Sequence, residues 1–192
     1  MPTSASVSTS DWIDPAVSAA LARDPTGWNR PVLLVRTDEQ LLHVWEAGRV
    51  CERFPISTAA RGVGNREGSL QTPLGLHRVA QKIGDAVPAG TVFRGREDTG
   101  EVAPVLSDPE DTAPGDRVTS RILWLEGLEP GVNQGGDVDS FARYIYIHGT
   151  DQEGRIGEPA SHGCVRMRNQ DVIALFARVP LNTLVLILDA AG

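Results

Sequence analysis

From residue 31 onward the apolar positions come in short bursts. Residues 32–35 form one apolar run and 41–45 a second, and beyond an Ala47-Gly48 turn residues 50–56 read as a third strand, a spacing that predicts a meander of β-strands. Gly and Pro separate further strand-length runs predicted at 74–80, 91–94, 121–125, 143–148 and 184–188. Helical signals are confined to two segments. Asp14-Pro15 sets a good N-cap residue before a proline at the first helical position of an Ala-rich stretch reaching Arg23, and Pro25-Thr26-Gly27 ends it. Later, Val172, Ile173, Phe176 and Val179 fall on one stripe between Asn169, which can cap a helix, and Pro180, which stops it. Many short strands with one or two helices predict a mainly β domain, sandwich or barrel, over residues 31–192, with residues 1–30 as a polar leader carrying a short helix.

Composition narrows what such a domain does. With 192 residues, 41% hydrophobic and 22% charged, the chain is one globular domain, or two small ones at most, and neither disordered nor fibrous. No apolar run approaches the roughly 18 to 20 residues of a membrane-spanning helix, since the richest, 181–188, is strand-length and carries Asn182 and Thr183. Against 25 acidic residues stand 18 basic ones, a net charge of −7, and the arginines are scattered from Arg23 to Arg178. Nucleic acid is therefore excluded as a partner, because phosphate binding needs clustered positive charge. Residues 98–118 concentrate Asp98, Glu101, Asp108, Glu110, Asp111 and Asp116 against a lone Arg117, which predicts a solvated loop, with gating of a nearby site as the lesser reading. The first twelve residues are Ser/Thr-rich, without Lys, Arg or an apolar core, so no secretory signal is read there and a cytoplasmic location is expected. Two cysteines, Cys51 and Cys164, are too few for a disulfide scaffold.

The chemistry concentrates between residues 143 and 166. In a strand over 143–148, alternation places Tyr144, Tyr146 and His148 on one face and Ile145 and Ile147 on the other, so His148 stands on the polar face where Gly149 opens a loop. That loop ends in Ser161-His162-Gly163-Cys164-Val165-Arg166, just before the Asn169 helix. An isolated thiol of pKa about 8.5 is only a few per cent thiolate at neutral pH, and a histidine partner or helix N-terminus that lowered it by about 1.5 units would remove that handicap. A glycine beside the thiol lets backbone N–H groups approach a carbonyl oxygen, as an oxyanion hole requires. Two plainer readings stand beside this one. Cys164 can be a small buried hydrophobe, as Cys51 can in mid-strand, and His148, His162 and Cys164 can be zinc ligands, although no Cys-x2-Cys half accompanies them.

The blocks Tyr146-Ile147-His148-Gly149-Thr150 and Ser161-His162-Gly163-Cys164-Val165-Arg166 resemble the active-site signature of the YkuD family of L,D-transpeptidases. Thr72-Pro73-Leu74-Gly75, followed by Leu76-His77-Arg78-Val79, resembles that family's Thr-Pro-x-Gly segment, and the similarity covers about residues 32–188. Arg166 stands where many members have Asn, as in one common subgroup. The resemblance implies a β-sandwich-like catalytic domain of mixed sheets, requiring no cofactor or metal, whose cysteine attacks the stem peptide of peptidoglycan between diaminopimelate and D-Ala. Cys164 would be the nucleophile, His148 its general base, and the Gly149 carbonyl would orient the imidazole. N–H groups around Gly163 and Cys164 would hold the oxyanion, Ser161 and His162 would shape the site, and Arg166 would bind a substrate carboxylate unless it pairs with an acid such as Glu158 or caps the following helix. Without an export signal, an L,D-carboxypeptidase trimming soluble muropeptides is the expected role. An L,D-transpeptidase forming 3→3 cross-links is the alternative, and a catalytically silent peptide-binding or zinc-stabilised module is the alternative of another class.

Overall fold

A computed structural model of the chain describes residues 13–23, 30–111 and 115–189; the polar leader up to residue 12 and the Pro25-Thr26-Gly27 stop lie outside the described residues. Strands β1 (Val32–Arg36), β2 (Leu41–Glu46) and β3 (Arg49–Pro55) form the predicted antiparallel meander. Strand β10 (Leu184–Leu188) returns to lie parallel to β1, pairing Leu184 with Val32 and Leu188 with Arg36. Beyond it the order continues antiparallel through β4 (Gly75–Ile83), β7 (Val118–Gly127) and β8 (Tyr146–Gly149), and β9 (Val165–Met167) lies parallel to β8. A hairpin of β5 (Thr91–Arg94) and β6 (Glu97–Val102) hangs from β7. The sheet curls until Ser57, just past β3, exchanges two backbone hydrogen bonds of 2.9 and 2.8 Å with Arg166 of β9. The architecture is mainly β and mixed, as expected, and its layers are two halves of one curled sheet.

Burial explains why β1 and β10 read as unbroken apolar runs. Leu33, Val35, Val185 and Ile187 point into the main core, where they meet Leu123, Leu125, Ile147, Val165 and Met167. Val32, Leu34, Leu184 and Leu186 point the other way, under Val17, Ala20 and Leu21 of helix α1 (Ile13–Arg23). Strands buried on both faces have no reason to alternate, and each such side chain contributes roughly 1.5 to 3 kcal/mol on leaving water. Helix α2 (Asn169–Arg178) closes the main core with Val172, Leu175 and Phe176.

Three local expectations are corrected. Asn169 is not the cap of α2: Arg168 holds the extended cap position, and Asn169 begins the helix with its side chain buried. There Asn169 accepts hydrogen bonds from Thr119 Oγ1 and Ser120 Oγ and donates to Thr150 O and Glu153 Oε1, so it ties β7 to the loop after β8. Glu153 Oε1 also receives the Asn169 backbone N–H at 2.8 Å, placing a carboxylate against the helix N-terminus. Secondly, the strand expected over 143–148 starts only at Tyr146. Tyr144 has a φ of 58° in a turn held by Asp139, whose carboxylate accepts the N–H groups of Gly135 and Ala142. Thirdly, the acidic stretch 98–118 is not loop throughout, because its beginning lies in the exposed strand β6 and its end carries Asp116 into the site described next.

Candidate active site

The β8–β9 pair sorts its side chains by face. Parallel pairing sets Ile147 against Val165 and His148 against Arg166. Partners on adjacent strands share a face, so Ile147, Val165 and Met167 enter the core, while Tyr146, His148, Arg166 and the preceding Cys164 share the opposite face. The Cys164 sulfur accepts the Tyr146 N–H and donates to the Tyr144 carbonyl, each at 3.4 Å. Burial pushes the Cys164 thiol up to about 12, only partly offset by the Tyr146 N–H and the Arg166 and Arg143 charges, and reinforced by Asp116. The expected lowering of the thiol pKa is thus reversed, and the resting group is a thiol.

His148 stands on the same face with one ring nitrogen open. It is buried, and its Nδ1 lies 2.7 Å from the Gly149 carbonyl, as the resemblance implied. A carbonyl oxygen only accepts, so Nδ1 carries the proton and Nε2 keeps its lone pair. Burial lowers the imidazole pKa, against the upward pull of Asp116, and keeps the ring neutral at pH 7. No protein group among the described residues hydrogen-bonds Nε2.

The loop before the sulfur is fastened at three points. Ser161 Oγ donates to the Cys164 carbonyl at 2.6 Å and accepts the Gly163 N–H at 3.2 Å, while Thr72 Oγ1 donates to the Gly163 carbonyl at 3.0 Å. Gly163 has a φ of 134°, a conformation that residues with a Cβ rarely adopt. Its N–H is spent on Ser161, whereas the Cys164 N–H has no protein acceptor among the described residues. Of the two expected oxyanion donors, only the Cys164 N–H is free.

Arg166 and His162 are placed differently from the expectation. Arg166 is only 2% exposed: Nε lies 3.1 Å from Asp116 Oδ1, one terminal nitrogen donates to Gln152 Oε1 at 3.1 Å, and the other donates to the Ala160 carbonyl. A guanidinium this buried must have its charge answered inside the protein, so the carboxylate it meets is Asp116, and Glu158 offers it only sequence proximity. Asp116 also accepts the His162 N–H at 3.1 Å, while the His162 ring stands 62% exposed, 3.4 Å from the same carboxylate. His162 lines a cleft of about 160 Å³ with Glu67, Leu70, Arg143, Tyr144 and Ile145. Arg143 fixes one wall of that cleft by donating to the carbonyls of Asn65 and Gln71 at 2.7 and 2.8 Å. Among the described residues no group of three or more His, Cys, Asp or Glu side chains is placed to hold a metal ion, and the zinc trio of His148, His162 and Cys164 does not form one.

Residues 30–187 match the model of the YkuD family, the L,D-transpeptidase catalytic domain. The chain belongs to the YkuD family. It is 49% identical over 47 residues to the putative L,D-transpeptidase YqjB of Bacillus subtilis, a match that spans 24% of this chain and 27% of that protein. It is equally 49% identical over 47 residues to the probable L,D-transpeptidase YbiS of Escherichia coli K12, of which the match spans 15%. The solved structure of Bdellovibrio bacteriovorus Bd1075 is similar in fold, with a TM-score of 0.52 and 16% identity over 88% of this chain and 51% of that one.

In this YkuD domain the sequence reading missed Asp116, which links Arg166 to His162 from a distant loop. Its only signal is an acid next to Arg117 at the entrance of a strand, and nothing in the spacing ties it to residues 162 and 166. Thr72 was in view through its motif, and the structure gives it its task of holding Gly163.

Proposed function

We propose that Cys164 is the nucleophile and His148 the general base of an acyl transfer on peptidoglycan stem tetrapeptides, cutting between diaminopimelate and the terminal D-Ala. The Sγ proton passes to His148 Nε2 as sulfur bonds to the scissile carbonyl carbon. The Cys164 N–H stabilises the oxyanion. D-Ala departs as an amine, taking the proton back from His148, and the tripeptide remains as a thioester. Water then releases the tripeptide, which is L,D-carboxypeptidase activity on soluble muropeptides in the cytoplasm.

The observation that carries this reading is the neutral imidazole of His148, anchored through Nδ1 and open at Nε2, on the same strand-pair face as Cys164. A silent peptide-binding module has no use for that open lone pair, and a zinc ion that could take it finds no group of three or more His, Cys, Asp or Glu side chains placed to hold it among the described residues. A second reading replaces water with the side-chain amine of another stem, giving a 3→3 cross-link, and the description of the matched family as a transpeptidase domain favours keeping it. Incubating the protein with a diaminopimelate tetrapeptide and resolving the products by mass spectrometry separates the two. Tripeptide alone supports hydrolysis, cross-linked dimer supports transfer, and unchanged tetrapeptide overturns both.

A further inference from the structure

With Arg166 turned inward, an anionic peptide needs another cation near Cys164. Arg143 is spent on backbone carbonyls, Arg117 faces Glu101 and Asp151, and Arg94 faces Glu101. Arg96 has no carboxylate partner among the described residues. It occupies the tip of the β5–β6 hairpin, where Gly95 and Arg96 have φ values of 56° and 73°. Such two-residue turns favour Gly or Asn in the second position, so an arginine there is held at a conformational cost.

What holds it is an aromatic platform. The guanidinium carbon lies 4.8 Å from the centre of the Trp124 ring and 5.1 Å from that of Tyr144, and the guanidinium interacts with the Tyr146 hydroxyl. Trp124 is itself fixed, stacked on Phe141 at 4.0 Å, edge-on to Tyr146 at 5.5 Å, and donating its indole N–H to the Phe141 carbonyl at 3.1 Å. A guanidinium has five N–H donors, so one that lies on ring faces and meets the Tyr146 and Tyr144 hydroxyls keeps others for a carboxylate. The same two tyrosines contact the Cys164 sulfur through their backbones, Tyr146 by its N–H and Tyr144 by its carbonyl.

We infer that Arg96, held on Trp124 and Tyr144 at the aromatic cluster against which Cys164 packs, is a specificity-determining residue that binds a free carboxylate of the acyl-donor peptide. This rests on the reading of Cys164 as the nucleophile. Two carboxylates of a stem tetrapeptide share the required chemistry, the D-Ala terminus and the free acid of diaminopimelate, and amidating one or the other distinguishes them.

The test compares wild type, Arg96→Gln and Arg96→Lys on the free tetrapeptide and on its two mono-amides. Arg96→Gln should lower kcat/KM on the free acid roughly 10- to 100-fold, mainly through KM, and Arg96→Lys should restore part of it. Wild type should discriminate against one amide, Arg96→Gln should treat that amide and the acid alike, and iodoacetamide should label Cys164 at the wild-type rate in both variants. An unchanged acid-to-amide ratio in Arg96→Gln, or a matching fall in labelling, overturns the inference while leaving the proposed function intact. If wild type turns over none of the peptides, the proposed function fails, and calorimetric titration of Cys164→Ala with and without Arg96→Gln decides Arg96 alone. Acid-selective binding that Gln abolishes retains the inference; equal or absent binding overturns it.

Discussion

Two buried histidines, His77 on β4 and His148 on β8, have the same beginning and different ends. Both are buried, and both place Nδ1 against a nearby glycine carbonyl, Gly75 at 3.0 Å and Gly149 at 2.7 Å. Burial lowers both pKa values, that of His77 to about 4. They part at Nε2. Ser140 Oγ closes the His77 ring at 2.9 Å, whereas the His148 nitrogen is left open on the face that carries Cys164. An imidazole satisfied at both nitrogens is a strut between β4 and the loop before Tyr146; one satisfied at a single nitrogen keeps a lone pair that can take a proton, the property the proposed base needs.

Breaking each histidine should therefore break different things. His148→Ala and Cys164→Ala should each cut turnover of a diaminopimelate tetrapeptide by roughly a thousandfold or more, with circular dichroism unchanged, while Cys51→Ala keeps most activity. Equal loss in the Cys51 and Cys164 variants would erase the distinction. Arg166→Ala should cost on the order of 3 kcal/mol in denaturant unfolding, because it strands Asp116 near a buried site. A selective rise in peptide KM at wild-type stability would instead restore Arg166 to substrate recognition.

The strut also carries a pH signature. Below the ordinary imidazole value of 6.5 the unfolded chain takes up a proton that His77 in the folded protein refuses until about pH 4, so stability falls as pH drops through that window. The shift corresponds to about 3 kcal/mol, and His148, lowered in the same direction, adds to it. His77→Gln should be less stable at pH 7 and lose less between pH 7 and 4.5; an acid limb as steep as in wild type would reject the assignment. A smaller effect sharpens the picture at the sulfur. With its thiol raised to about 12, Cys164 should show an iodoacetamide rate that climbs past pH 9 without the plateau of a free thiol near 8.5.

The strands β1, β2 and β10 were legible in the sequence because their apolar runs reflect burial that any sheet partner would impose, whereas β3, exposed or half-buried along most of its length, was legible through the turn before it and its alternation. Cys164, His148, Gly149, Ser161 and Gly163 were legible because they lie in two short motifs, and the β8–β9 pairing brings those motifs together. Asn169 read as a helix cap because capping is the local option for that side chain, yet four tertiary hydrogen bonds hold it one position further on. Arg166 read as substrate-facing because alternation fixes only its face, and its partner Asp116 lies 50 residues earlier in the chain. The sulfur's raised pKa escaped for the same reason, since desolvation depends on what packs around a group and not on its neighbours in sequence.

The most direct measurement is the intact mass of the protein after brief incubation with the tetrapeptide and an acid quench, followed by peptide mapping. Wild type and Cys51→Ala should carry a tripeptide acyl adduct mapping to Cys164, and Cys164→Ala should carry none. An adduct on any other residue, or turnover that survives Cys164→Ala, would contradict the assignment of Cys164 as the nucleophile.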